Sequence, residues 1–225
     1  MRKIGLIGGL SWFSTKTYYD HIQHGVQTKL GNQQASAPMI IDSLDSSGLL
    51  RLSGAEDWSR AAHQLSESAR RLEAAGSTAI IIGANSMHKV YDDVARAVSV
   101  PVLHIADCVA ARMVEKGCKK AALLGTRNVM LESFYRQKLI ARDIELLPPN
   151  MTRVEALDRI IYGELVLGKA TRQSERELKS IITMLEQEGA EGIVLGCTEL
   201  EMIVDVDANV LPIFDCTAIH AEHAV

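Results

Sequence analysis

Short apolar runs rich in β-formers alternate along this chain with longer stretches whose apolar residues are spaced as on one face of a helix. This alternation is typical of an α/β protein with a mostly parallel sheet and helices on both faces. The predicted strands cover residues 2–8, 38–43, 78–83, 102–106, 120–124, 144–147, 192–196 and 210–215. The predicted helices cover residues 14–30, 56–75, 87–97, 107–116, 131–141, 152–167 and 173–188.

The chain repeats itself. LEAAGSTAIIIGA at 72–84 matches LEQEGAEGIVLGC at 185–197 with an offset of 113 (185 − 72). KIGLIG at 3–8 matches KAALLG at 120–125 with an offset of 117, which also pairs Tyr18 with Tyr135, and Pro101 matches Pro212 with an offset of 111. We therefore predict two pseudo-symmetric α/β domains, one formed by residues 1–98 with 208–225 and the other by 99–207. In this repeat Ala84 and Cys197 occupy equivalent positions.

Composition and charge narrow the class of partner. The 225 residues include 28 acidic and 24 basic ones, giving a net charge of −4, so there is no basic footprint for nucleic acid and no polybasic segment for a membrane. The first apolar run is too short for a signal peptide or a membrane span, and we expect a cytoplasmic protein with a small-molecule partner. The four cysteines show neither CxxC pairs nor metal-ligand spacing, which favours reduced thiols.

Small and hydroxyl residues follow four of the predicted strands, in Gly8-Gly9-Leu10-Ser11, Gly83-Ala84-Asn85-Ser86, Gly125-Thr126 and Gly196-Cys197-Thr198-Glu199. In open α/β sheets, ligands bind outside the carboxyl ends of the strands. Glycines allow close approach to the backbone, and amides that open a helix favour an anion such as a carboxylate. A phosphate would also suit such a site, but the chain lacks both GxGxxG spacing and a GK[ST] motif.

Five segments carry a resemblance to a known family: GLIGGLSWFST near the start, GANSMHKV at 83–90, LLGT at 123–126, GCTELE at 196–201 and the final PIFDCTAIHAEHAV. With these, the chain resembles the aspartate/glutamate racemases, which are cofactor-independent amino-acid racemases, and within them the L-aspartate/glutamate-specific and broad-specificity bacterial enzymes. The resemblance implies two pseudo-symmetric domains with the active site in the cleft between them, an amino-acid substrate, no pyridoxal phosphate, and a homodimer; the cysteine spacing gives no reason to expect a metal.

The reaction of such a family explains why its active site uses two cysteines. Inverting an α-carbon without a cofactor needs a base on one face and an acid on the other, with roles that can be exchanged. Cys197 lies at a predicted strand-to-helix turn, where a helix N-terminus lowers the pKa of a thiol, so we expect an accessible thiolate and a catalytic role. We expect Cys108, Cys118 and Cys216 to have no catalytic role.

Ala84 departs from this pattern, because it stands where the family has its first catalytic cysteine and can neither accept nor donate a proton. A symmetric two-thiol mechanism is excluded for this sequence. Some relatives have threonine there, and the arylmalonate decarboxylases have glycine and keep only the second cysteine; a deliberate substitution that traps substrate is a third explanation. Val129 also replaces a hydroxyl residue of the relatives.

The resemblance assigns further roles. Asn85 and Ser86 would hold the α-carboxylate, with Thr198 as their counterpart. Ser11 and Thr126 would line the cleft or serve only as helix N-caps. Lys169 and Arg51 would pair with a side-chain carboxylate or lie as solvated surface charges. His88 would orient substrate or shuttle a proton, or would simply cap the helix or pack, and His220 would be structural.

The sequence therefore predicts a cofactor-independent racemase of aspartate, glutamate or a related amino acid, with Cys197 acting on one face of the α-carbon. Two alternatives stay open. One is a single-cysteine decarboxylase of the arylmalonate type, in which Cys197 only protonates. The other is a non-catalytic relative that binds amino acids without turnover.

Overall fold

The structure is a computed structural model that describes residues 3–49, 52, 54–206 and 209–225. Within these ranges the strands are β1 Ile4–Gly8, β2 Met39–Ser43, β3 Ala79–Ile82, β4 Val102–Leu103, β5 Lys120–Gly125, β6 Glu145–Leu146, β7 Gly192–Gly196 and β8 Ile213–Asp215. The α-helices are α1 Trp12–Leu30, α2 Ala55–Ala74, α3 Tyr91–Arg96, α4 Ile105–Glu115, α5 Arg127–Leu131, α6 Ser133–Ile140, α7 Met151–Gly163, α8 Arg172–Gln187 and α9 Cys216–Ala224. Short 3₁₀ helices cover Ser46–Gly48, Ser86–Val90, Leu165–Leu167 and Thr198–Met202.

The chain divides into two compact units. Unit 1 is Met1–Ile105 with His220–Val225, and unit 2 is Ala106–Ile219. Each unit contains one four-stranded parallel sheet, with the order β2-β1-β3-β4 in unit 1 and β6-β5-β7-β8 in unit 2. The two orders are the same once the strands are renumbered within each unit. No helix in the described ranges is both long enough and apolar enough to cross a membrane.

The sequence repeat is reproduced in the strand register. In unit 1, Ile4 pairs with Ala79. Adding the offsets of 117 and 113 gives Ala121 and Gly192, which are paired in unit 2. The offsets of 113 and 111 likewise relate Ile80 and Val102, which are paired in unit 1, to Ile193 and Ile213, which are paired in unit 2. The repeated sequence blocks therefore correspond to equivalent strands in the two sheets.

Helices cover both faces of the sheet of unit 1. Successive residues of a strand point to opposite faces, so each strand contributes side chains to both. One face packs against α2; its strand residues are Ile7, Ile80 and Ile82 and its helix residues include Ala61, Leu65 and Ala69. The other face packs against α1 and α9; it contains Leu6 and Ile81 from the strands with Tyr18, Ile22 and Ala221 from the helices. Unit 1 is thus a three-layer α/β/α arrangement.

The core of unit 2 is built in the same way. One face of its sheet packs against α7 and α8; it contains Ala122, Leu124, Ile193 and Leu195 from the strands with Leu157, Ile161, Leu178 and Ile182 from the helices. The alternate strand residues Ala121, Leu123 and Val194 are buried as well. The predicted α/β class with mostly parallel sheets is confirmed.

Several predicted elements have other bounds in the structure, and three of these differences change the type or the division of an element. The strand predicted at 102–106 ends at Leu103, and α4 begins at Ile105, because a short apolar run does not distinguish a buried strand from the start of a buried helix. The helix predicted at 131–141 is divided by Glu132, whose backbone is extended. The helix predicted at 87–97 begins as the 3₁₀ helix Ser86–Val90 before α3.

Gly9 and Gly31 offer a matched test of the turn that follows β1. Both have positive φ, 73° and 58°. A Cβ on Gly9 would lie 2.1 Å from the carbonyl oxygen of Leu44, whereas a Cβ on Gly31 would meet nothing within 4 Å. We predict that Gly31→Ala lowers the free energy of unfolding by roughly 1–2 kcal/mol, because alanine is strained in the left-handed backbone conformation and meets no other obstacle there.

For Gly9→Ala we predict a further loss of roughly 1–3 kcal/mol from overpacking. Urea denaturation of the two variants measures both values. Equal losses in the two variants would show that the close approach of Leu44 to Gly9 is absent.

Candidate active site

The residues predicted to form the site lie at the carboxyl edges of the two sheets. In unit 1, Ser11 follows β1 and the segment 84–86 follows the neighbouring strand β3. In unit 2, Thr126 follows β5 and the segment 197–198 follows the neighbouring strand β7. Each sheet therefore brings one hydroxyl residue to the same edge as the loop that carries Ala84 or Cys197.

The loop after β3 in unit 1 carries an unsatisfied amide. Asn85 is only 4% exposed, and neither its Oδ1 nor its Nδ2 has a hydrogen-bond partner within the described residues. Leaving a buried amide unpaired costs on the order of 1–3 kcal/mol. Ala84, beside it, contributes only a methyl group. The loop thus presents one acceptor and two donors, on Asn85, next to the position where the repeat would place a thiol.

Ser11 and Thr126 differ in how their hydroxyl groups are used. Ser11 is the N-cap of α1, and its Oγ accepts a hydrogen bond from the backbone N–H of Ser14 at 3.4 Å. Thr126 is the N-cap residue of α5, but its side chain makes no capping bond, and its buried Oγ1 has no partner in the described part of the chain. The capping role suggested for both positions is therefore observed for Ser11 alone.

Lys169 and Arg51 remain untested as ligands for a side-chain carboxylate. Lys169 is exposed in the segment between the 3₁₀ helix Leu165–Leu167 and α8, and its backbone N–H donates to the carbonyl of Glu164. Arg51 lies outside the described residues. Ser86 is half-buried at the start of its 3₁₀ helix.

Cys197 is buried at the end of β7 and forms a hydrogen bond with a carboxyl group. Its thiol is 6% exposed and donates from Sγ to Oε2 of Glu199 at 3.1 Å. The hydroxyl of Thr198 donates to the same oxygen at 3.0 Å. Glu199 itself is 7% exposed. The three consecutive side chains thus form a small buried network that the sequence did not reveal.

The expectation of a lowered pKa at Cys197 is wrong. Burial raises the pKa of this thiol well above its ordinary value, and the negative charge of Glu199 and the hydrogen bond to it raise it further. Backbone N–H groups of Glu199 and Leu200 act in the opposite direction but are outweighed. The helix that follows is a 3₁₀ segment of five residues, Thr198–Met202, so little helix dipole is available. At neutral pH the resting group is a thiol.

Burial alone does not distinguish Cys197, because all four cysteines are buried and free. Burial raises the pKa of Cys108 to about 12 and also raises the pKa of Cys118. Cys216 is hydrogen-bonded to the hydroxyl of Tyr135 at 2.8 Å. The feature particular to Cys197 is its carboxyl partner at a strand end.

Glu199 and Asp215 were missed as candidate functional residues. Glu199 stands two positions after Cys197, which is the only sequence signal for it. Asp215 ends β8, whose register pairs it with Leu195 of β7, and its Oδ1 accepts from the backbone N–H groups of Thr217 and Ala218. Burial raises the pKa of Asp215, and the neighbouring Glu201 raises it further. Carboxyl groups whose pKa is shifted, as that of Asp215 is, cluster at functional sites.

Comparisons with known proteins identify the family. The sequence model of the family described as Asp/Glu/hydantoin racemase matches residues 7–224, and the chain belongs to that family. A crystal structure of a candidate Asp/Glu racemase from Yersinia pestis is similar, with 42% identity and a TM-score of 0.90 over 100% of this chain and 97% of that one.

Two further relatives agree. An aspartate racemase homologue from Pyrococcus horikoshii OT3 has 34% identity and a TM-score of 0.85 over 100% of this chain and 97% of that one. The broad specificity amino-acid racemase RacX of Bacillus subtilis is 25% identical over 159 residues, 71% of this chain and 68% of RacX.

The pKa of Cys197 can be tested by its reactivity. We predict that Cys197 reacts with iodoacetamide at pH 7 more slowly than free cysteine, because only the thiolate is alkylated. Glu199→Gln removes the negative charge, lowers the pKa of Cys197 and speeds its alkylation at least about threefold, since a tenfold change corresponds to about one unit of pKa. Peptide mass spectrometry quantifies alkylation at Cys197 separately from the other cysteines.

Glu186→Gln, which removes an exposed charge from α8, is the matched control and leaves the rate unchanged. If Glu199→Gln reacts no faster than this control, the carboxyl group of Glu199 does not govern the thiol.

Proposed function

We propose that this chain is a cofactor-independent isomerase of aspartate, glutamate or a related amino acid, in which Cys197 transfers the α-proton. The observation that carries the proposal is the buried thiol of Cys197, hydrogen-bonded to Glu199 at 3.1 Å at a strand end, with Ala84 at the equivalent position of the repeat. Membership of the Asp/Glu/hydantoin racemase family and similarity to the broad specificity amino-acid racemase RacX support it.

Glu199 gives the buried thiol a route to the reactive form. As substrate binds, the carboxylate of Glu199 accepts the proton of Cys197 and leaves a thiolate, which then takes the α-proton of the amino acid. The C–H electron pair stays on the substrate as an enolate-like carbanion. Reprotonation by the thiol of Cys197 restores the starting enantiomer, whereas inversion needs a proton from the opposite face. Such positioned proton transfers are worth about 10²- to 10⁴-fold in rate.

Asn85 and Thr126 are the proposed contacts for the polar groups of the substrate. Their side-chain polar atoms are buried and unpaired within the described residues, so a ligand that pairs them relieves the cost of that burial. An amide offers two N–H donors to a carboxylate and one oxygen to an ammonium group. Ser86, Thr198 and Lys169 complete the proposed set, with Lys169 directed to a side-chain carboxylate.

With Ala84 in place of a second thiol, the protein transfers protons on only one face of the α-carbon in the proposed reaction. Its methyl group has no proton to give, so the return proton on the second face comes from water and inversion is slow relative to exchange. We predict that one enantiomer of the substrate loses its α-proton signal in heavy water faster than its optical activity decays. Proton NMR of L- and D-aspartate and L- and D-glutamate measures the exchange, and circular dichroism measures the inversion.

Cys197→Ala is the control for this experiment and lowers the exchange rate at least about 100-fold. Ala84→Cys supplies the second acid, and inversion then approaches the rate of exchange. Exchange that persists in Cys197→Ala would remove the proposed role of the thiol. Binding of an amino acid without exchange in any variant would instead support the non-catalytic alternative.

A decarboxylase is the second candidate, favoured by the protonated state of Cys197. A thiol whose pKa is raised by burial is suited to donate a proton to a carbanion formed by loss of carbon dioxide, and that chemistry needs no group at position 84. Release of carbon dioxide from an arylmalonate, abolished by Cys197→Ala, would support this reaction. No release from the wild-type protein would exclude it for that substrate class.

The proposal includes a homodimer, which the family resemblance implies. Two exposed aromatic side chains on α1, Trp12 at 64% and Tyr19 at 46%, support an uncovered apolar surface on this helix. Light scattering of the purified protein gives twice the mass of the chain if the dimer forms, and the mass of a single chain contradicts it.

A further inference from the structure

Three histidines of unit 1 are buried together and have no part in the proposed reaction. His88, His104 and His220 are 1%, 5% and 0% exposed. The ring centroid of His88 lies 4.9 Å from that of His104 and 5.6 Å from that of His220. Tyr91 packs against His104 with a centroid distance of 4.7 Å. A buried set of rings this close to the loop after β3 calls for a physical explanation.

The hydrogen bonds of His220 fix its tautomer. Its Nε2 lies 3.2 Å from the carbonyl oxygen of Leu103, and a carbonyl only accepts, so Nε2 carries the proton. Its Nδ1 therefore accepts from the hydroxyl of Tyr18 at 2.9 Å. Burial lowers the pKa of His220 well below its ordinary value, and the nearby His88 lowers it further. The ring of His220 is thus neutral and is held in one orientation by two hydrogen bonds.

His88 has the opposite tautomer and holds the loop. Its Nδ1 lies 2.9 Å from the carbonyl oxygen of Ala84, so Nδ1 carries the proton and donates it to that carbonyl. The backbone N–H of His88 also donates to the carbonyl of Asn85 at 3.2 Å. Because its ring lies against His104 and His220, His88 cannot turn away from Ala84 without displacing other buried rings.

A second side chain holds the preceding peptide. Ser14 of α1 is 2% exposed, and its hydroxyl donates to the carbonyl oxygen of Gly83 at 2.8 Å. Two successive carbonyls at the end of β3 are therefore bound by buried donors, one from α1 and one from the 3₁₀ helix Ser86–Val90. In unit 2 the offset of 117 relates Ser14 to Leu131, and the offset of 113 relates His88 to Glu201. The side chain of Leu131 carries no hydrogen-bond donor.

We propose that His88 and Ser14 are positioning residues that fix the peptides of Gly83 and Ala84 and thereby aim the amide of Asn85 at the substrate. This inference rests on the proposed function, in which Asn85 binds the amino acid. His88 acts as a donor through Nδ1–H and does not exchange that proton with substrate, because the proton is engaged by the carbonyl of Ala84. Ser14, from α1, holds the carbonyl of Gly83 in the same way.

Two replacements of His88 separate the donor from the ring. His88→Asn keeps an N–H donor at the place of Nδ1, whereas His88→Phe keeps an aromatic ring and loses the donor. We expect His88→Phe to raise KM for the exchanged amino acid about tenfold with kcat little changed, which corresponds to loss of about one hydrogen bond. His88→Asn stays within about twofold of the wild type. His63, exposed on α2, provides the matched control pair His63→Asn and His63→Phe.

A second readout needs no substrate. In ¹⁵N-labelled protein, the side-chain amide of Asn85 gives one defined pair of proton signals in the wild type and in His88→Asn, and the pair shifts or broadens in His88→Phe. If no amino acid is exchanged by the wild type, the proposed function fails, and these signals still decide whether His88 positions Asn85. Ser14→Ala, which deletes one oxygen, gives the same shift in a variant with little risk of misfolding.

The pH profile distinguishes positioning from proton transfer. The wild-type kcat rises and falls with pH as catalytic groups titrate. Both His88 variants keep this pH dependence if His88 is only a fixed donor, and loss of one of its limbs would show that His88 exchanges a proton. Equal effects of Asn and Phe on KM and on the Asn85 signals would also overturn the inference, because the donor would then be irrelevant and only the packing of the ring would count.

Discussion

The close pairing of β5 with β7 is the constraint on which the proposed chemistry depends. Gly125 lies opposite Gly196 in the register, and a Cβ on Gly125 would lie 2.7 Å from the carbonyl oxygen of Gly196. A Cβ on Gly196 would in turn lie 2.7 Å from a methyl group of Val129. Glycine at both positions allows the two strands to lie this close together. The first side chain beyond β7 is that of Cys197, which is buried.

Burial at this point decides the chemical state of the thiol. Taken out of water and placed beside Glu199, Cys197 is held as a proton donor, and the carboxyl group of Glu199 accepts its hydrogen bond. The equivalent loop in unit 1 has the methyl group of Ala84 and the buried amide of Asn85, which has no hydrogen-bond partner among the described residues. The two units have therefore kept the same strand register while their strand-end loops carry different groups, a thiol beside a carboxyl group in unit 2 and a methyl group beside an amide in unit 1.

The fold was readable from the sequence because its signals are local or repeated. The offsets of 117, 113 and 111 recur in the strand register, and the apolar alternation placed the strands. The surroundings of the loop after β3 were less predictable, because interactions there join distant residues: His220 meets Tyr18 and Leu103 only after folding. The pKa of Cys197 was predicted in the wrong direction, since sequence reveals a strand-to-helix turn but neither the shortness of the helix nor the position of the Glu199 carboxyl.

The most direct test of this account is a pH titration of the Cβ signal of Cys197 by NMR, in protein labelled with ¹³C at cysteine and assigned with Cys197→Ala. The account predicts that the signal keeps its thiol position beyond pH 9, since free cysteine titrates near about 8.5 and burial beside Glu199 raises the pKa. A midpoint at or below that of free cysteine would contradict it, because Cys197 would then rest as an exposed or stabilised thiolate and Glu199 would have no proton to accept.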